Sequence, residues 1–241
     1  SLHSHRTAEV FIIHSGKWRF FWGLYGDKGE VVLETGDVIS LPTHMFRGFE
    51  NITELNESNP NGYGFMFAVL GGNDSGGGVL WAPQVIEAAQ AHGLVLLENG
   101  LLIDTHHGES IPDRMLSRKP LEGADLLAFD QNNIEDPDRI LARKSQSGNL
   151  ILGTSDKAKI REMPGFEICR AVGFETFELE GSNPTVLICN EGRFPIEDQL
   201  IEKGDVVYLD AGDFNKIEFS SACEVFLVTP TSDPAGPTKY L

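Results

Sequence analysis

Cysteine is scarce in this 241-residue chain, and what there is lacks a pattern. Cys169, Cys189 and Cys223 are an odd number, show no Cys-x-x-Cys spacing and lie in apolar, strand-like runs. That argues against a disulfide framework; the three read as buried structural thiols. A chain without disulfides suits a reducing compartment, so a cytoplasmic location is expected. Basic residues are also few, 19 Lys and Arg against 36 Asp and Glu, for a formal charge of −17. Such a surface repels phosphate backbones and anionic lipid, so neither nucleic acid nor membrane is expected as a partner. The acidic residues are spread along the chain and read as a solubility feature. No apolar run approaches the roughly 20 residues of a membrane-spanning helix. No leader peptide is visible, but the first residue is Ser rather than Met, which is compatible with trimming. Missing too are a P-loop and a catalytic triad. Gly71 to Gly78 lacks the Lys-Ser/Thr that would close on a phosphate, and no Ser-His-Asp or Cys-His arrangement stands out.

What is present is β signal. Hydrophobic residues make up 41% of the chain and charged residues 23%, a globular balance. Short runs rich in β-branched and aromatic residues recur up to Val69: Val10–Ile13, Trp18–Trp22, Val31–Leu33, Val38–Leu41 and Phe65–Val69. Gly16, Gly23, Gly26, Gly29 and Gly36 punctuate them. Close spacing of many short strands argues for a barrel or sandwich. Trp18, Phe20 and Trp22 alternate on one strand face and read as barrel core, with a wall for a ring-shaped substrate as the alternative. Pro83 opens a helical pattern (Val85, Ile86, Ala89, His92) closed by Gly93, and Asn99-Gly100 turns a hairpin between Leu94–Leu97 and Leu101–Asp104. Residues 105–160 are polar and read as a connector with one weak helix over Pro137 to Arg143. From Ile160 the β signal returns. Glu34-Thr35-Gly36-Asp37-Val38-Ile39-Ser40-Leu41 is echoed by Glu202-Lys203-Gly204-Asp205-Val206-Val207-Tyr208-Leu209, an internal repeat that predicts a duplicated barrel. The expected divisions are a first barrel over residues 1–80, a helix, hairpin and connector over 81–159, and a second barrel over 160–241.

Residues two apart on a strand share a face, so His3 and His5 project together, and Glu9 joins them if the chain crosses over after His5. Two imidazoles and a carboxylate are the facial set that suits non-haem Fe(II) and leaves positions open. Mn, Ni, Co, Cu and Zn fit the same donors. The pair His106-His107 with Asp104 and Glu109 is a second candidate, although adjacent histidines on a polar loop ordinarily face water.

The run His3-x-His5-x3-Glu9-x6-Gly16, followed by Gly36-x5-Pro42-x4-Arg47-x3-Asn51, resembles the two signature motifs of the cupin superfamily. The resemblance covers residues 3–51, and residues 160–230 resemble a second, degenerate cupin. It implies an all-β protein of two double-stranded β-helix barrels with a short helical or irregular connector. It also implies one divalent metal ion on His3, His5 and Glu9, and a homodimer.

The departures shape the functional expectation. The motif's Pro-x-Gly-x-x-His appears here with His44 at the glycine and Arg47 at the fourth ligand. Arginine does not ligate a cation, so Arg47 instead offers a guanidinium fork to an anionic small-molecule substrate, or else turns away to pair with Glu50. His44 is a candidate replacement ligand or general base. In the second barrel the ligand positions fall on Leu179, Gly181, Thr185 and Asn215, which predicts no second metal. The family motif begins before the first His, with strands earlier still. The barrel is therefore expected to be completed by strands preceding Ser1, with a later segment or another subunit as the alternatives. The leading expectation is a non-haem Fe(II) dioxygenase acting on a small organic acid, aromatic acids included; the alternatives are a metal-dependent isomerase, lyase or hydrolase, and a non-catalytic small-molecule-binding bicupin.

Overall fold

The computed structural model describes residues 1–5, 7–71, 79–130, 134, 136–146, 148–161, 165–173, 176–178, 183–212, 216–219 and 222–231. In the first half the strands are β1 (His3–His5), β2 (Glu9–Ser15), β3 (Lys17–Trp22), β4 (Gly29–Glu34), β5 (Val38–Leu41), β6 (Arg47–Asn51), β7 (Phe65–Leu70) and β8 (Val79–Trp81). Helix α1 (Pro83–Ala91), the hairpin β9 (Leu94–Leu96) and β10 (Leu102–Asp104), helix α2 (Gly123–Asp130) and strands β11 (Leu141–Ala142) and β12 (Leu150–Leu152) follow. The second half holds β13 (Phe166–Val172), β14 (Thr176–Glu178), β15 (Thr185–Glu191), β16 (Arg193–Ile196), β17 (Gln199–Glu202), β18 (Val206–Leu209), β19 (Lys216–Glu218) and β20 (Glu224–Pro230).

Two antiparallel sheets, ordered β4-β3-β6-β1-β8 and β11-β5-β2-β7, enclose the first core. Phe11, Ile13, Phe20, Trp22, Leu33, Ile39 and Leu41 fill it, with Trp18 and Phe49 packed at its margin. The alternating Trp18, Phe20 and Trp22 therefore belong to the barrel interior. Val10–Ile13 is an unbroken apolar run because β2 is covered on both sides. Phe11 and Ile13 face the barrel interior, whereas Val10 and Ile12 pack with Ile188, Phe226 and Val228 of the second half.

The second half repeats the plan, with a sheet ordered β12-β13-β20-β15-β18 beside the long-range strand pair β14–β19 and the hairpin β16–β17. Its core contains Leu187, Cys189, Phe194, Ile201, Val225 and Leu227. The sequence repeat corresponds to the same hydrogen bonds in both halves. Ile13 N donates to Asp37 O and Gly36 N to Ile13 O, as Cys189 N donates to Asp205 O and Gly204 N to Cys189 O. In each turn the aspartate side chain accepts the backbone N–H three residues earlier, Asp37 from Glu34 (3.1 Å) and Asp205 from Glu202 (2.8 Å). Gly36 and Gly204 have φ of 88° and 95°, a left-handed conformation that glycine adopts without penalty.

Helix α1 and the hairpin β9–β10 form where expected. The connector departs from expectation in three places. The helix anticipated over Pro137–Arg143 is one 3₁₀ turn, Pro137–Arg139, capped by Asp136. Leu141 and Ala142 instead extend β5 at its free edge, where sheet pairing and burial outweigh helix propensity. β12 pairs with β13, and α2 occupies a stretch that read as loop. Residues 72–78 of the glycine-rich loop lie outside the described residues. Among the described residues no helix is long and apolar enough to cross a membrane.

Candidate metal centre

β1 lies between β6 and β8, so a segment later in the chain flanks the first motif strand. Register places Trp22 opposite Arg47, Arg47 opposite His3, and His3 opposite Trp81. Residues directly opposite across antiparallel strands share a face, so these four form one row on the inner wall. His5 follows two residues on, opposite Val79. Between His5 and Glu9 the chain crosses to the other sheet, where Glu9 opens β2. The crossing is what lets a carboxylate on one sheet meet imidazoles on the other.

His5 Nε2 lies 3.4 Å from Glu9 Oε1, and His3 Nε2 lies 3.8 Å from Glu9 Oε2. One donor atom from each of the three residues lies within 4.8 Å of the others, in the one such His/Cys/Asp/Glu group among the described residues. A metal 2.0–2.2 Å from each donor needs donors about 3 to 3.5 Å apart, so the set fits after sub-ångström to ångström closure. The imidazole chemistry also fits. His3 Nδ1 contacts the Ser1 carbonyl at 2.9 Å, and a carbonyl only accepts. Nδ1 is therefore the donor to that carbonyl, which leaves Nε2 as the nitrogen turned toward Glu9 and toward a metal. The three side chains are 12%, 8% and 7% exposed, nearly buried yet open to one side.

Arg47 reaches this group and does not pair with Glu50, which is bound by Arg19. Its guanidinium is fully buried. Nη1 donates to Glu9 Oε2 (3.0 Å), Nη2 to the Pro42 carbonyl (2.6 Å) and Nε to the Met45 carbonyl (3.3 Å). The fork expected to face a substrate is thus largely engaged by Glu9 and the 42–45 turn. Burial alone would raise the Glu9 carboxyl. Hydrogen bonds from His3 and His5 and the charges of Arg47 and His5 more than reverse that, and hold it well below the usual carboxylate range. Burial in turn lowers Arg47, against the opposing pull of Glu9.

His44 sits in that same turn with φ of 59°. Its backbone N–H donates to the His5 carbonyl at 2.8 Å, and its ring Nδ1 lies 3.3 Å from Thr43 Oγ1. It braces the strand that carries the histidines, and its ring is not among the converging donors. His106 and His107 belong to a 3₁₀ turn capped by Asp104, whose Oδ2 lies 2.6 Å from His107 Nδ1, an exposed local arrangement. In the second barrel Thr185 stands where Glu9 stands in the first, its hydroxyl 2.9 Å from that of Thr229. Positions 179, 181 and 215 lie outside the described residues.

Neither a protein-family model nor a curated protein matches the chain by sequence. Solved structures do match by shape. Oxalate decarboxylase from Bacillus subtilis at pH 4.6 has a TM-score of 0.50 and 12% identity, over 96% of this chain and 64% of that one. The formate complex of Lactobacillus farciminis oxalate decarboxylase has a TM-score of 0.51 and 11% identity, over 98% and 73%. The fold is that of a bicupin. Bacterial pirin YhhW from Escherichia coli in complex with nickel(II) is a further match, with a TM-score of 0.46 and 10% identity, over 95% and 75%. The chain spans about two thirds of the length of the B. subtilis enzyme. At such identities the likeness speaks for the fold, and the site rests on its own geometry.

Within this bicupin fold the sequence pattern located His3, His5, Glu9 and Arg47. It missed Trp81, whose ring lies 5.6 Å from that of His3, and the Pro42 and Met45 carbonyls that anchor Arg47. Trp81 is far along the chain in a three-residue strand, and nothing in its local sequence marks it. The Pro42 and Met45 carbonyls are backbone atoms and carry no residue-type signal.

Proposed function

We propose that His3, His5 and Glu9 hold one divalent metal ion and that the protein is a metal-dependent enzyme acting on a small organic acid. The observation that carries the reading is the convergence of two imidazole nitrogens and one ionised carboxylate on a single point at the barrel wall. In this reading Fe(II) is the favoured ion, because two His and one carboxylate on one face are the donor set of non-haem iron oxygenases. Bound there, it would supply Lewis-acid and redox chemistry at its open positions.

The chain's own residues have distinct parts. Arg47 holds Glu9 Oε2, which leaves Oε1 turned toward His5 and free to ligate. The Ser1 carbonyl fixes the His3 tautomer. Buried beside the ligands, the Arg47 charge favours an anionic substrate even though its own hydrogen bonds are mostly spoken for. Trp81 and Phe49 flank His3 with apolar rings, which would exclude water from the approach and suit an aromatic acid. In the redox-neutral alternative, a lyase or isomerase, His44 would serve as the proton acceptor, which requires its ring to turn from Thr43 toward the three donors.

One observation favours a different reading. Arg47 already neutralises Glu9 at 3.0 Å, which is what a non-catalytic bicupin with no resident ion would need. Reconstitution with Fe(II), followed by turnover of a panel of small aromatic and aliphatic acids with and without O2, separates these. Oxygen uptake matching substrate loss supports a dioxygenase. Turnover unaffected by anaerobiosis supports the lyase or isomerase. No turnover with any metal leaves the binding protein.

A further inference from the structure

His3 and His5 share their inner face with Trp81 and Val79, the residues directly opposite them on β8. Beyond Trp81 this face opens into a cavity of ≈ 620 Å³ that neither motif touches. Its walls are mostly apolar, formed by Val79 and Trp81 of β8, Ile86 and Ala89 of α1, and Leu94 and Leu96 of the hairpin. The size and apolar lining are those of pockets that enclose small organic ligands. Ser1 lines the cavity and its carbonyl contacts His3, so cavity and candidate metal centre are one side-chain layer apart.

The polar part of the wall is Arg118, Glu98 and Asn99. Arg118 Nη2 donates to the Glu98 carbonyl at 3.2 Å. Among the described residues no carboxylate lies within salt-bridge distance of its guanidinium. Its free donors suit a carboxylate. The nearby Glu98 carboxylate repels a second negative group, which favours a ligand with a single acid.

We propose that this cavity binds an amphipathic monocarboxylate, its apolar body along Trp81, Val79 and the hairpin leucines and its acid group on Arg118. That the ligand is also the substrate rests on the metal reading above; that it binds does not.

Decanoate and its neutral counterpart decanol, titrated calorimetrically into the full chain after dialysis against EDTA, test the proposal. Decanoate is expected to bind at one site, about fivefold more tightly than decanol, the value of one partly exposed charge pair. Arg118→Gln should erase that preference, and Ala89→Trp, which fills the cavity, should abolish binding of both. His3→Ala/His5→Ala should bind decanoate as the parent does, so loss of the metal reading leaves this result intact. Equal binding of the two probes, no binding of either, or an unchanged preference in Arg118→Gln overturns it. The arginine variant alters a surface group and keeps the test decisive if Ala89→Trp fails to fold.

Discussion

At the scale of the residue, Glu9 and Arg47 decide what the candidate centre is. A carboxylate buried among aromatic rings remains ionised here because two imidazoles and a guanidinium hold it so. Breaking a buried pair leaves an uncompensated charge, which typically costs about 3 to 5 kcal/mol. Arg47→Leu should therefore destabilise the metal-free protein by about that amount in urea unfolding. The double variant Glu9→Leu/Arg47→Leu should recover most of the loss, since both charges are gone. A second residue-scale prediction concerns the thiols. Burial, with smaller contributions from nearby charges, pushes Cys169 and Cys189 up to about 12, and burial raises Cys223. At pH 8 the folded protein should react negligibly with a thiol reagent, and all three thiols should titrate after denaturation. The sign of the accompanying pH effect follows from the raised folded values. The unfolded chain loses these protons first, so the stability they contribute is full below about pH 9 and declines as pH rises toward 12.

Among the elements, the two Gly-Asp turns share backbone hydrogen bonds but differ in what surrounds them. Asp37 also accepts from Arg143 Nη1 (2.7 Å) and from Lys144 N (2.9 Å), which ties the connector to β5. The Asp205 side chain accepts the Glu202 N–H. Charged hydrogen bonds that are lost with burial cost more than exposed ones. Asp37→Ala should thus cost about 2 to 3 kcal/mol and Asp205→Ala about 1 kcal/mol or less, read from paired denaturation curves. This is also the scale at which the legibility of the sequence divides. Both turns, α1 and the Asn99-Gly100 hairpin follow from local chemistry and were readable. The strand at Leu141–Ala142 was not, because its partner is β5, far back in the chain. Likewise the spacing of His3, His5 and Glu9 announced three donors. That Arg47 would face Glu9 rather than Glu50 depended on the β1–β6 register and on the carbonyls of Pro42 and Met45, which no spacing rule encodes.

Across the whole molecule, two barrels pack through a shared apolar layer in which Val10, Ile12, Phe226 and Val228 meet. The first barrel holds a converging donor set. In the second, Thr185 replaces the carboxylate, and its partner is another threonine hydroxyl. One equivalent of metal per chain follows from this account. Because the ion would bind only the folded chain, its addition should raise stability by RT ln(1 + [L]/Kd), about 2.7 kcal/mol at a hundredfold excess over Kd. A thermal melt with and without EDTA would show it as a metal-dependent rise in Tm, absent in Glu9→Gln. Whether these side chains hold an ion is read from elemental analysis of the purified protein beside His3→Ala/His5→Ala. About one equivalent of a first-row divalent ion in the parent, lost in a variant that still folds, is the predicted result. No metal in the parent even after anaerobic reconstitution with Fe(II), or metal retained undiminished in the variant, would contradict it.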